Sequence, residues 1–463
     1  MANPEKYQIL VLGSGEAGKF LAWTMAKEGH RTALVERKWL GGACPNVACL
    51  PSKSIIYAAR VASLAKRGAE FGLAMDSLSV NLAAVQQRKR AMVEELHQMH
   101  RQKHAASGAE LIMGEARFVA PLTVEIALSD GGIRTLSGER VFLALGSRAA
   151  LPEVPGLAAA HPMTHVEALD LDRTPEHLIV MGGGYIGLEL SQAMRRFGAR
   201  ATIIEHGAQL ASREDSDVGA ALLELFREEG IEVLLNAAVA RVEGQSGAKV
   251  RVHIEDANGT RTLEGSDLLV ATGRTPNTDG IGLDQVGVAL SEHGYIKVDQ
   301  RLRTSAPNVW AMGDCAGSPQ FTHVAFDDFR VVHSDLTGGH RTTRDRLVPF
   351  CMFTDPELAR VGRNETEAHR EGLEYRIAKM PMAEILRTRT VSERRGLVKM
   401  LIAKSSDAIL GFTAFGFDAS EMMAAAQTAM LAGAPYTVLR DAIFTHPTVS
   451  EGFIALLGHL EAR

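Results

Sequence analysis

Gln8-Ile9-Leu10-Val11-Leu12 is a short apolar run, closed by Gly13-Ser14-Gly15-Glu16-Ala17-Gly18. Phe20, Leu21 and Met25 follow at helical spacing, and Thr32-Ala33-Leu34-Val35 is a second apolar run that stops at Glu36. The pattern predicts strand, glycine turn, helix, strand: one βαβ unit. It recurs from His177. Leu178-Ile179-Val180-Met181 leads into Gly182-Gly183-Gly184-Tyr185-Ile186-Gly187, a helical stretch follows, and Ala201-Thr202-Ile203-Ile204 ends at Glu205. Residues 81–105 read as one long helix, with Leu82, Val85, Met92, Leu96 and Met99 as its apolar stripe. His97, His100 and His104 share a neighbouring face, read as solvated rather than as a metal site, and so is the basic run Arg88-Lys89-Arg90. From about Val348 strand and helix patterns continue without a third glycine turn, as in a separate α/β domain.

A lone G-x-G-x-x-G string is often only a turn. Here two copies each follow a strand, and each has an acid 21 residues after its second glycine, Glu36 after Gly15 and Glu205 after Gly184. Gly13, Gly15 and Gly18, like Gly182, Gly184 and Gly187, let the backbone approach a pyrophosphate at a helix N-terminus. The acids are placed to accept from ribose hydroxyls, so two nucleotide cofactors are expected. Glu205 favours NADH, since a carboxylate there repels a 2′-phosphate; Arg195, Arg196 and Arg200 keep NADPH open.

The 463 residues suggest about three domains. Fifty Lys and Arg against 55 Asp and Glu argue against a nucleic-acid-binding chain. No run approaches ~18 apolar residues, so no membrane span is expected. The first residues lack a signal-peptide pattern, which makes a cytoplasmic enzyme the expectation. Four cysteines are too few for a disulfide scaffold.

Two of them stand out in Gly41-Gly42-Ala43-Cys44-Pro45-Asn46-Val47-Ala48-Cys49-Leu50-Pro51-Ser52-Lys53. Zinc would need a second ligand pair, which isolated Cys315 and Cys351 do not form. Two inert buried thiols are the plain alternative. Positions five apart in a straight helix lie about 8.6 Å apart, too far for a disulfide. Pro45 disfavours helix at Cys44, so the chain can bend there. Cys44 is then expected just ahead of a helix and Cys49 inside its first turns, where the N-terminus favours a thiolate.

Cys-x4-Cys-x-Pro-Ser-Lys soon after a dinucleotide turn resembles the FAD-dependent pyridine nucleotide–disulfide oxidoreductases. The family includes dihydrolipoamide dehydrogenase, glutathione reductase, mercuric reductase and a reactive-chlorine-resistance flavoprotein. Further segments resemble it along the chain: Ala144-Leu145-Gly146-Ser147, Ala271-Thr272-Gly273-Arg274-Thr275-Pro276-Asn277, Asn308 to Asp314, and Phe444-Thr445-His446-Pro447-Thr448-Val449-Ser450-Glu451. The resemblance implies an α/β fold with two Rossmann-like dinucleotide-binding domains and a C-terminal α/β dimerisation domain. Residues 1–148 and 275–345 would bind FAD, 149–274 NAD(P), and 346–463 would form the interface.

The resemblance also implies roles. Cys49 lies next to the flavin and Cys44 faces the substrate as the interchange thiol. His446, oriented by Glu451 and supplied by the second subunit of a homodimer, moves the proton. Lys53 and Glu189 pair near the flavin, Asp314 bonds its ribitol, and Gly42 and Gly146 line the FAD site, as Gly273 does the NAD site. Tyr185 is either a gate to the nicotinamide pocket or a packed aromatic. Four positions depart from the family pattern: Ala43, Ala48, Leu145 and Glu16, whose carboxylate sits in the FAD turn and is expected to point to solvent.

The acceptor is a small disulfide, thiol or metal ion. Pro51-Ser52-Lys53 disfavours glutathione reductase, and Phe353-Thr354-Asp355-Pro356 and Leu439-Arg440-Asp441 favour the mercuric-reductase and reactive-chlorine branch. No cysteine follows Cys351 to deliver Hg(II), which disfavours mercury. Dihydrolipoamide dehydrogenase and a low-turnover flavin redox sensor are the alternatives.

Overall fold

The computed structural model describes residues 3–74, 77–257 and 259–460. The protein is α/β and divides into two units. One comprises Met1–Ser54, Ala84–Ala150 and Gly273–Arg346; the other Ile55–Ala83, Leu151–Thr272 and Leu347–Arg463.

In the first unit β1 (Glu5–Leu12) runs parallel between β2 (Thr32–Glu36) and β5 (Ile133–Leu143). β3 (Glu110–Ala120) pairs parallel with β2 and then antiparallel with β4 (Thr123–Leu128), which returns to β5. The strand Val309–Ala311 adds parallel to β5. Ile9, Leu10, Val11 and Leu12 are all buried, the continuous apolar run of a strand covered on both faces. On one face α1 (Glu16–Lys27) and the helix Thr322–Leu336 pack through Leu21, Met25, Val331 and Val332.

α4 (Leu82–Ala105) is the single predicted helix; Leu82 is buried and Val85, Met92 and Leu96 are half-buried as the stripe predicts, but the histidine face is buried too. His100 and His104, expected on a solvated face, are each 6 % exposed, and Lys89 is buried, whereas Met99 from the apolar stripe is exposed. Only Arg88 and Arg90 of the basic run stay in solvent. The reason lies on α1, which offers polar partners: Lys19 Nζ donates to His100 Nε2 at 3.0 Å, and Trp23 Nε1 to His104 Nδ1 at 3.1 Å. A polar group buried with a partner costs little. Among the described residues these histidines form no metal-ligand cluster.

The second unit holds a parallel sheet in the order Asp267–Val270, His177–Met181, Arg200–Ile204, Glu232–Leu234. A three-stranded antiparallel sheet, 238–265, packs into the same core. A five-stranded antiparallel sheet runs Phe350–Met352, Glu357–Gly362, Ile409–Gly416, Leu397–Ala403, Tyr375–Pro381. The helices Ala419–Leu431 and Gly452–Gly458 cover it with Met422, Ala426, Phe453 and Leu456. A fully buried Lys399 bonds Asp215, Asp217 and Glu365 at 2.6, 2.9 and 2.7 Å. Those three carboxylates are close enough to share a cation, and the ammonium takes that place. No helix among the described residues is long and apolar enough to cross a membrane.

Candidate functional site

The two glycine turns solve one steric problem the same way. Gly13 and Gly182 have φ of +99° and +106°, and a Cβ there would lie 2.2 Å from Ala144 O and 2.5 Å from Ala271 O. Gly18 and Gly187 sit so close to Gly13 O and Gly182 O that a Cβ would fall 2.0 and 2.1 Å away. The middle glycines differ: nothing lies within 4 Å of a Cβ at Gly184, and only Ala144 O, at 3.9 Å, at Gly15. Each turn is therefore tied down at its ends and open in the middle, a cradle that fits a pyrophosphate. Glu36 accepts from Ser14 N at 2.9 Å, and Glu205 from Gly183 N at 2.7 Å. Each predicted ribose acid thus also braces the second residue of its own turn. Arg200 opens the strand that ends just before Glu205, about 16 Å away at strand rise. Arg195 and Arg196 end the helix Tyr185–Phe197, far from the turn that opens it.

The cysteine segment differs from the expectation. Cys44 lies inside a short helix, α2 (Ala43–Val47), rather than ahead of one. Pro45 is in its first turn, where the N–H has no helical partner to lose. The helix breaks at Ala48, and Cys49 opens α3 (Cys49–Lys66). This break brings the two sulfurs within hydrogen-bond reach, and both are free thiols. The Cys44 thiol donates to the Cys49 sulfur, which holds Cys49 well below the ordinary thiol range and pushes Cys44 up. Burial opposes the shift at Cys49. Thr322 Oγ1, 3.2 Å from Cys49 Sγ, and the Lys53 charge reinforce it. At the head of α3 the helix dipole favours the same anion.

The loop carrying Cys44 is braced from two sides. Gly42, at φ +74°, lies against Gly15, and a Cβ there would come 2.5 Å from Gly15 Cα. Asn46 Nδ2 donates to Gly42 O at 2.7 Å, and His97 contacts its Oδ1. Glu16 does not point to solvent: its carboxylate pairs with buried Lys19 at 2.7 Å, because the ammonium inside the unit needs a counter-charge. Asp314 sits in the turn Gly313–Ala316 and accepts from Ser147 Oγ, with Arg274 Nε at 3.9 Å. Gly146, at φ +67°, immediately precedes the strand Ser147–Ala149. Buried Asp328 accepts from Gly313 N at 2.7 Å and pairs with Arg346. Thr322, Ser147, Asp328 and Lys19 were not singled out from sequence; Thr322 and Ser147 meet partners 273 and 167 residues away, and Lys19 meets His100 81 residues away.

In the second unit the Tyr185 hydroxyl donates to Glu214 at 3.3 Å, and its ring lies 6.3 Å from Phe350. Burial, then the Glu214 charge, pushes the phenol up. Glu189 is buried and accepts from Phe353 N at 2.8 Å. Gly273, at φ +148°, lies three residues beyond the strand Asp267–Val270. His446 is exposed; its Nδ1 donates to the Glu451 carboxylate at 2.9 Å, which leaves Nε2 turned outward for proton exchange. The sequence-predicted residues thus fall into two groups: Cys44, Cys49, Lys53, Gly42 and Asp314 in the first unit, and Tyr185, Glu189, His446 and Glu451 in the second.

Comparison with known proteins agrees with this chemistry. Residues 7–328 match the family described as "Pyridine nucleotide-disulphide oxidoreductase", and residues 348–456 match its dimerisation domain. The chain is 35% identical over 452 residues to the probable pyridine nucleotide-disulfide oxidoreductase RclA of Escherichia coli (strain K12), covering 96% of this chain and 97% of that protein. It is 34% identical to the dihydrolipoyl dehydrogenase of Geobacillus stearothermophilus, covering 96% and 94%. A solved structure described as the Cu(II) complex of HOCl-induced flavoprotein disulfide reductase RclA from Escherichia coli matches with a TM-score of 0.89 at 34% identity, covering 98% of this chain and 99% of that one.

Proposed function

The chain belongs to the pyridine nucleotide–disulphide oxidoreductases, which use FAD and NAD(P)H, and we propose that it passes two electrons from NADH through FAD to a Cys44–Cys49 disulfide and on to a small disulfide or other small oxidant. FAD, which Gly13, Gly15, Gly18 and Asp314 would hold, would supply the two-electron link between nicotinamide and sulfur. The domain roles are then 1–148 with 275–345 for FAD, 149–274 for NAD(P) and 346–463 for dimerisation. NADH is preferred, since Glu205 lies beside the second turn, whereas Arg195 and Arg196 lie at the far end of the helix Tyr185–Phe197 and Arg200 at the far end of its strand.

The observation that carries this reading is the unequal thiol pair. Reduction breaks the Cys44–Cys49 bond and leaves a thiolate on Cys49 and a proton on Cys44. Cys44 must lose that proton to become a nucleophile. His446 of the second copy takes it, held by Glu451. The Cys44 thiolate attacks the acceptor disulfide, forming a mixed disulfide and expelling one thiolate, which takes the proton from His446. Cys49 then attacks Cys44, re-forms the internal disulfide and expels the second thiolate, protonated from solvent. Lys53 and Glu189 are positioning groups for the flavin end, and Tyr185 gates the nicotinamide site. The protein acts in the cytoplasm as a homodimer.

Anaerobic titration of the FAD-loaded protein with one equivalent of NADH tests this. A long-wavelength absorption that disappears in Cys49→Ala is expected; acceptor reduction that survives Cys49→Ala would sink it. A second reading, Cu(II) as the oxidant, is favoured by the match to a relative solved as its Cu(II) complex. Steady-state rates with lipoamide, Cu(II), Hg(II) and quinones, using NADH and then NADPH, separate the acceptors.

A further inference from the structure

A cavity of about 690 Å³ opens in the second unit, between the C-terminal half of α3, the end of the helix Tyr185–Phe197 and residues 392–395. No apolar or aromatic side chain lines it. Six cations and three carboxylates do, a formal surplus of three positive charges.

The charges sort into two sets. Arg67, Arg196 and Arg395 are matched by Glu70, Glu229 and Glu393, at 2.8, 2.6 and 2.5 Å. Asp355 also bonds Arg196 from behind the wall, but faces Arg60 in turn. Lys66, Arg195 and Arg394 form the second set. Lys66 donates to Arg196 O at 2.7 Å, and Arg195 donates to Glu229 O at 2.8 Å. These acceptors are neutral carbonyls, which satisfy hydrogen bonds without cancelling charge. Arg394 is exposed and makes no ion pair among the described residues. The crowding acts on Lys66, where desolvation and then the Arg195 and Arg196 charges hold the ammonium below the ordinary lysine range. Glu229 also acts on Lys66, but it is already paired with Arg196, and six cations against three carboxylates leave the cavity wall net positive, the electrostatic form of an anion site.

We propose that this cavity binds a small, multiply charged phosphate, such as inorganic pyrophosphate or a sugar bisphosphate. The lining decides the class. A nucleotide base or acyl chain would find no apolar wall to lie against, whereas phosphate oxygens would meet guanidinium forks. The site is separate from the cradle at Gly184, since it lies at the opposite end of the helix Tyr185–Phe197. It is independent of the thiol relay.

Calorimetric titration of the FAD-loaded protein, saturated with NAD+ at low ionic strength, tests it with inorganic pyrophosphate as the probe and a hexose bisphosphate in a parallel arm. One saturable site per chain is expected for at least one probe, and the tighter one identifies the source. Affinity should fall about tenfold in Arg195→Gln and in Arg394→Ser, a lost charged hydrogen bond each, and be unchanged in Arg90→Ser on α4. Arg394 carries no ion pair to lose, so that variant tests the site without threatening the fold. The proposal is overturned if neither probe saturates, if Arg195→Gln and Arg394→Ser both bind like the parent, or if an oligoglutamate binds where neither phosphate does.

Discussion

In the relay proposed above, Thr322 and His446 set the two proton positions. With its hydroxyl 3.2 Å from Cys49 Sγ, Thr322 stabilises the thiolate form and draws its pKa down. The sign follows: protonation of Cys49 is postponed to lower pH, so the long-wavelength absorption of the reduced protein should be near full strength at pH 7. A thiol at the ordinary value of about 8.5 would be mostly protonated there. Thr322→Val removes the hydroxyl and keeps the shape. It should move the midpoint of that absorption upward by about one pH unit, and an unmoved midpoint would deny Thr322 this role. His446→Gln should slow disulfide turnover by about 10²–10⁴ while NADH still reduces the bound flavin at the parent rate in stopped flow. Equal loss in both half-reactions would remove His446 from the proton step.

At the scale of elements, α1 and α4 are joined by polar contacts where a solvated histidine face was expected. Lys19→Met leaves the Glu16 carboxylate without its cation and His100 without its donor. We expect a loss of about 2 kcal/mol by urea denaturation, below the 3–5 of a fully buried pair because Glu16 keeps some exposure. A change under about 0.5 kcal/mol, typical of an ordinary surface position, would show the contact to be incidental. The α1–α4 seam also marks where sequence reading stops. The turns at Gly13 and Gly182 were legible because their constraints are local: a positive φ, a close carbonyl, and an acid one strand later. The buried face of α4 was not, because its partners lie 81 residues away and polarity alone suggested solvent. Glu16 was misplaced for a different reason: its counter-charge, Lys19, is only three residues along the same helix, but that lysine's burial is set by packing. At Cys44 the rule that a residue before proline avoids helix gave way to the exemption of a first turn.

For the whole molecule, the C-terminal region carries the sign of a missing partner surface. Ile443, three residues before His446, is fully exposed, and Val438 and Leu431 are exposed with it. They lie within the segment that matches the dimerisation domain. Ile443→Glu should shift the sedimentation equilibrium from two chains to one and abolish disulfide turnover, while NADH-to-flavin transfer persists. A dimer retained at full activity would place the interface elsewhere. The unequal sulfurs have an electrochemical consequence for the assembled enzyme. Between the depressed pKa of Cys49 and the elevated one of Cys44, closing the two-electron cycle takes up one proton, not two. The midpoint potential of the couple should then drift by about 30 mV per pH unit where a two-proton dithiol drifts by about 59. As its surroundings turn alkaline, such a protein becomes a relatively weaker reductant than a free dithiol, and as they turn acid, a relatively stronger one.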